Sequence, residues 1–530
     1  MAGCWALAVF LLTAPALAGA DTPTPGGQIV LGSIGDATSM IPMITTDSAS
    51  SEIQNQIYNG LLKYDKDIKL TGDLAESWEV SPDGLTMTFH LRKGVKWQDG
   101  KPYTSADALF SYQFMVDPKT PTPYSGDFMK VAKAETPDPY TFVVHYKEPY
   151  APGLASWGLS QLPAHLLKGH DTATSPLNRN PVGTGPYRLV EWKTGQRLTL
   201  EYYPDYFEGR AYLDRVTTRI IPDMATMFLE LRSGGLDMMG LTALQYSRQT
   251  ETRQFKENFQ KFKYLSASYT YLGYNMKDPR FQDKRVRQAL TYAINKDEIV
   301  KGVLLGLGQP ATGPYLPTSQ WYNPKVKRYP YDPAKAKELL AQAGWTDSNG
   351  DGLLDKDGQP FRFEIQTNQG NSYRANAGVI IQRRLREIGI EVKLRTLEWA
   401  AFIKDFIRPG RFEAILLAWT IPPDPDLYDV WHSDNIGGGK LNHTSYKNAE
   451  LDKLLLAGQR TLDPGKRKAI YDRCQEILAE DQPYTFLYYA DALPIVAARF
   501  RGIKEEPAGI SYNFIRWWVP LNLQKSRRQP

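Results

Sequence analysis

One hydrophobic core stops growing at about 250 to 300 residues, and this chain runs to 530, so it must divide into two or three compact units. There is apolar material for each of them. Hydrophobic residues make up 42% of the chain and aromatic residues 12%, against a formal net charge of only +5. A disordered chain has the reverse balance, with few aromatics and a high net charge. The 63 Lys and Arg residues are dispersed except for Lys525, Arg527 and Arg528, so no basic stripe marks a nucleic-acid partner.

The one membrane-like stretch, Trp5 to Ala18, is shorter than the roughly 20 residues a bilayer needs and is interrupted by Pro15. It reads as the apolar part of an export leader over residues 1–20, with Ala18-Gly19-Ala20 as the cleavage site before Asp21. The mature chain is therefore expected in the periplasm. Met1-Ala2-Gly3-Cys4 has the look of a lipoprotein box, but the apolar segment follows Cys4 instead of preceding it, so lipid anchoring is the weaker expectation. With the leader gone, Cys474 is the one cysteine left and no internal disulfide can form.

Strand and helix signals follow one another along the chain. Leu85, Met87, Phe89 and Leu91 alternate after a Pro-Asp-Gly turn, and Tyr140 to Tyr146 repeats the strand signal. Thr104 with Asp107 predicts a capped helix through Phe114. In the second half, Asp332-Pro333 opens a helix that Gly344 ends. Tyr373 to Ile388 and Arg467 to Ala479 carry the helical apolar period, and Arg362 to Thr367, Glu391 to Leu397 and Ala414 to Trp419 are strands. The expected result is a mixed α+β first half and an α/β second half.

Six His residues are scattered, and no H-E-x-x-H, Cys-x-x-Cys or G-x-S-x-G motif occurs. No enzyme constellation and no cofactor are expected. One stretch invites a metal reading: Asp347, Asn349, Asp351 and Asp355 fall at positions 1, 3, 5 and 9 of a calcium loop. Its last position needs a bidentate Glu and holds Gly358, so an Asx- and Gly-rich turn is the simpler reading.

Four segments, read together, are similar to the family 5 extracellular solute-binding proteins, the peptide and nickel receptors of ABC importers. They are Gly72 to Asp107, Asn180 to Leu189 with Pro222 to Asp237, Tyr274 to Ile299, and Tyr331 to Gly344. The resemblance runs from about Gln28 to Trp518. It implies a two-lobed, hinged periplasmic binding protein of type II, cluster C-like, with an α/β architecture and a mixed α+β first lobe. Residues 21–262 and 493–530 would form lobe I, with an inserted subdomain at about 47–180, and residues 264–492 lobe II. Crossings near Leu265 to Tyr274 and Tyr484 to Tyr489 would make the hinge. The implied protein is a monomeric, non-enzymatic receptor that closes on a peptide. It would deliver that peptide to importer permease subunits served by separate ATPase subunits.

The resemblance also exposes departures. Di- and oligopeptide receptors hold the peptide's α-amino group with an Asp shortly after a strand-ending Trp. Here Trp419 is followed by Thr420-Ile421-Pro422-Pro423-Asp424-Pro425-Asp426, and Pro422 takes the place of that Asp. The Arg that dipeptide receptors use for the α-carboxylate aligns with Asn368. A dipeptide held by both termini is thereby disfavoured, which leaves a longer peptide or a ligand fixed mainly by its backbone. Nickel receptors carry a His where Asp426 stands, which disfavours nickel. Asp424 or Asp426 could take over the amine or could cap a helix at Leu427 to Trp431. Trp419, Trp399, Trp157, Trp97, Tyr274, Asn275 and Asn368 complete the cleft candidates, although Trp97, with Asp99, has an equally good structural reading. Two other functions stay open: a receptor for a non-peptide such as an oligosaccharide, and a secreted hydrolase using Asp424 and Asp426 as an acid/base pair.

Overall fold

The computed structural model describes residues 22–525, so the expected leader and Cys4 lie outside the described residues. A seven-stranded mixed sheet organises the first lobe. Gln28–Ser33 lies parallel to both Arg215–Ile220 and Met238–Gly240, and Arg197–Tyr202 and Tyr187–Lys193 extend one side. On the other side Pro494–Ala497, from near the chain end, sits between Met238–Gly240 and Phe259–Lys261. Both ends of the described chain thus build one sheet.

Between Ser33 and Tyr187 the chain leaves that sheet and forms a second, four-stranded one from Ala75–Val80, Thr86–Leu91, Thr141–Tyr146 and Val131–Asp138. Met87, Phe89 and Leu91 are buried while Thr86, Thr88 and His90 between them stay half-exposed, as strand alternation requires. The Ser105–Val116 helix carries the full capping box of Thr104 and Asp107.

The second large sheet runs in the order Tyr264–Leu265, Tyr484–Ala492, Ser268–Tyr274, Ala414–Thr420, Arg362–Asn368, Glu391–Leu397, with Gly308–Pro310 also paired to Tyr484–Ala492. Arg362–Asn368 and Glu391–Leu397 are parallel and joined by the Ser372–Arg386 helix. That helix buries Ala377, Ile381 and Leu385, one face of a 3.6-residue period.

The chain changes sheets at Phe262–Lys263 and around Leu493, just outside the tyrosine-rich segments expected to cross. Those segments are central, neighbouring strands of the second sheet, and their rings fill its core. Tyr271 stacks on Tyr484 at 3.9 Å, for example. Among the described residues no helix is long and apolar enough to cross a membrane.

Candidate functional site

The two lobes touch along the rim of a cleft. Arg460 pairs with Glu148 at 2.6 Å, the Ala151 N–H donates to the Gln459 carbonyl at 2.7 Å, and Arg408 donates to the Ile44 carbonyl at 3.2 Å. Trp399 lies flat on Gly35, where an added Cβ would stand 2.9 Å from the indole. These contacts define a closed arrangement.

Inside lies a cavity of about 1080 Å³. Glu52, Asn55, Gln56, Tyr64 and Met224 line it from the first lobe, Tyr264 and Asp491 from the crossings, and Tyr373 from the second lobe. Glu52 keeps an exposed surface, but that surface faces the cavity. Enclosure, and then the charge of Asp47, pushes its carboxyl up to about 7. Burial, with Asp424 adding to it, likewise drives the Tyr64 phenol up to about 12. A second interlobe crevice of about 1300 Å³ is lined by Asp223, Arg232, Asn368 and Asn376. The carboxyl of Asp223 there is lowered by the helix N–H it caps. Asp223 is displaced by an ordinary helix cap, whereas Glu52 is displaced by enclosure, which favours the first cavity as the functional one.

Three more carboxylates meet across the cleft. Asp127, from the Ser125–Phe128 turn of helix, accepts a hydrogen bond from the Tyr150 hydroxyl. It is pushed up to about 7 by burial and by Asp426, against the opposing effects of Tyr150 and Lys130. Asp429 rises well above the carboxylate range through burial and then Asp127, and Asp426 is raised by burial. No motif announces Asp127, Asp429 or Glu52. They are single charges in short or amphipathic segments, and the fold alone brings them together.

The residues expected in the cleft divide into two groups. Trp419 is half-buried at its strand end, donates its indole N–H to the Tyr484 hydroxyl at 3.3 Å and stacks on His443 at 5.3 Å. Burial holds that His443 down to about 4. Trp399 stays at the rim. Asp424 is not free for an amine, because Arg467 grips both its oxygens at 2.8 and 2.9 Å. Asp426 accepts from Gln459 at 2.8 Å, from Tyr471 at 3.2 Å and from the Tyr428 backbone at 3.1 Å. Its bond to the Tyr428 N–H closes a turn just ahead of the Tyr428–Trp431 helix, whose N-cap is Leu427 with no side-chain bond, and both carboxylates are held by second-lobe partners.

Tyr274 is a correction: it is fully buried, bonded to Thr485 and packed on Phe281 in the second-lobe core. Asn275 instead ties down a loop by donating to the Phe412 carbonyl at 2.8 Å. Trp157 is enclosed by Phe89, Phe128 and Phe142, and Trp97 is equally buried. A large aromatic gains more from core packing than from lining a wet cleft. Asn368 is buried, and its side-chain oxygen accepts from Arg374 at 2.6 Å. Asp347, Asn349, Asp351 and Asp355 do not converge as calcium ligands, since each turns its oxygens to N–H or O–H groups of its own loop. No group of three metal-binding side chains occurs among the described residues.

The model of bacterial extracellular solute-binding proteins, family 5 Middle, matches residues 69–438. The oligopeptide-binding protein AppA of Bacillus subtilis is 38% identical over 510 residues, covering 94% of this chain and 93% of that one. The solved structure of AppA from Bacillus subtilis in complex with a nonapeptide superposes with a TM-score of 0.90 at 36% identity, covering 94% and 100%. NikZ from Campylobacter jejuni in complex with Ni(L-His) follows with a TM-score of 0.84 at 28% identity, covering 93% and 99%.

Proposed function

Because this chain belongs to the bacterial extracellular solute-binding proteins, family 5, we propose that it is an exported receptor that captures an oligopeptide between its lobes for an ABC importer. The observation that carries the peptide reading is the cavity. At about 1080 Å³ it exceeds what a chelated ion needs and lies at the upper end of small-ligand pockets. The greater likeness to an oligopeptide-binding protein than to a nickel one points the same way.

Sheet membership supports assigning residues 21–262 and 493–530 to lobe I, about 47–180 to its insert, and 264–492 to lobe II. The mechanism follows from that division. A peptide spanning the cleft meets Trp419 and Tyr373 on one side and Glu52 and Tyr64 on the other only in the closed form. Its differential binding energy therefore shifts the population toward closure, and the permease reads the closed surface. The protein works as a monomer in the periplasm after losing its leader, and it returns the peptide unchanged.

Thermal unfolding with a panel of defined peptides tests this reading. A hexa- to nonapeptide at a hundred times its dissociation constant should add about 2.7 kcal/mol. Mass spectrometry of the recovered peptide should show no cleavage. Stabilisation by oligosaccharides and by no peptide would transfer the assignment to a sugar receptor, and cleaved product would make the protein a hydrolase.

A further inference from the structure

We propose that Arg374 is the anion-binding residue of this cleft and takes a carboxylate of the bound peptide. The inference rests on the peptide-receptor reading and deepens it. Its starting point is a deeply set cation without an anion. Among the described residues the Arg374 guanidinium makes one hydrogen bond, to the neutral amide oxygen of Asn368 at 2.6 Å. Its Nε is fully buried with no partner, and no carboxylate lies within ion-pair distance.

Other deep arginines are compensated. Arg467 grips Asp424, Arg499 pairs with the buried Asp237 at 2.9 Å, and Arg287 donates to the carbonyls of Asp481, Phe281 and Gln282. Burying a cation without such partners is costly, and a fold keeps one only where something else supplies the charge. Burial also loosens the Arg374 proton, against the opposing effect of the Tyr488 and Tyr271 phenols. The Tyr271 hydroxyl is itself buried and unpaired.

The position suits a ligand group. Arg374 stands in the first turn of the Ser372–Arg386 helix, where side chains lean back toward the helix start and its unpaired N–H groups. That helix start faces the first lobe. Ser372 approaches Met224 at 3.6 Å, a Cβ at Gly370 would stand 2.9 Å from the Pro222 carbonyl, and Tyr373 and Met224 line the cavity together. Asn368 fixes one terminal nitrogen and Nε is closed off, so the other terminal nitrogen, which keeps open surface, is the charged donor a carboxylate would meet. The carboxylate can be the peptide's C-terminus or an Asp or Glu side chain.

Calorimetry on the full mature chain separates these sources. The probes are one hexapeptide as free acid, its C-terminal amide, and amides carrying a single Asp at each position. Wild type should bind the free acid, or one Asp-bearing amide, about tenfold or more above the plain amide. Arg374→Gln should reduce that preference to about twofold while binding the plain amide as wild type does. A retained preference in Arg374→Gln, or no preference in wild type, overturns the proposal.

Ligand-free melting is a second readout. Arg374→Met should melt at or above the wild-type temperature, because an uncompensated cation supports nothing in the empty cleft. A clear drop would make Arg374 a structural strut and overturn the assignment. If no peptide binds at all, the peptide reading falls separately. Acetate then decides the anion site: it should raise the melting temperature of wild type and leave Arg374→Met unmoved, and equal responses overturn the proposal.

Discussion

At Gly183 the fold has no room for a methyl group: a Cβ there would stand 1.9 Å from the carbonyl oxygen of Ile57. Gly185 is similar, with the Ile57 carbonyl carbon at 2.6 Å. Both glycines let the end of the Ser48–Ile57 helix lie directly on the Pro181–Pro186 turn. Gln98 staples the junction, donating to the Tyr187 carbonyl at 2.7 Å and accepting from the Gly183 N–H at 3.2 Å. Gly183→Ala must therefore push backbone against backbone, and we expect it to lower stability by about 3 kcal/mol in urea denaturation, at the upper end of overpacking costs. An unchanged midpoint would mean the helix end can move aside. The Asn180 to Leu189 motif was legible in the sequence through the family resemblance, but its reason was not, since the atom it avoids belongs to a distant helix. Glu52 and Arg374 were illegible for the same cause. A lone charge on an amphipathic helix reads as solvated surface until the fold encloses it.

The strands and helices themselves were legible, because apolar spacing reports which face is buried: Thr86–Leu91, Arg362–Asn368, Glu391–Leu397 and the capped Pro333–Gln342 helix all lie where the pattern predicts. Spacing does not tell a core face from a cleft face, so Tyr274 and Trp157 read as cleft aromatics and prove to be core. The Pro-Asp-Pro-Asp loop shows the same limit. Two carboxylates after a Trp look like a ligand site, yet the Ala449–Arg460 and Pro464–Asp481 helices supply Gln459, Arg467 and Tyr471 to hold them. That arrangement makes a prediction for the element. Asp424→Asn leaves the largely buried Arg467 unpaired and should cost about 3 kcal/mol in chemical denaturation, while peptide affinity by calorimetry stays within about twofold of wild type. A large loss of affinity at unchanged stability would return Asp424 to the binding site.

Closure of the whole molecule assembles a charge cluster that neither lobe carries alone. Asp127 comes from the first lobe and Asp426 and Asp429 from the second, so opening removes the repulsion between Asp127 and the other two and lets the Asp127 and Asp429 carboxyls fall back toward the ordinary value near 3.8. In the closed form Asp127 rises to about 7, and Asp429 is likewise raised well above its ordinary value, through burial and mutual repulsion. Lys130 and Lys440 oppose these shifts without cancelling them. Both carboxyls are thus raised by closing, and for Asp127 the closed form holds more protons than the open one between about pH 4 and 7. By linkage, closure is favoured as pH falls through 7 and disfavoured as pH rises, with no further change once both forms are protonated. A cationic group on the ligand can replace the proton, so basic peptides should lose less affinity at high pH than neutral ones. Small-angle scattering of the ligand-free protein should give a smaller radius of gyration at pH 5 than at pH 8. Asp127→Asn should flatten that difference, because it removes the first-lobe member of the cluster while keeping its size. A pH-independent radius in wild type, or an undiminished difference in Asp127→Asn, would show that the carboxylates do not govern closure.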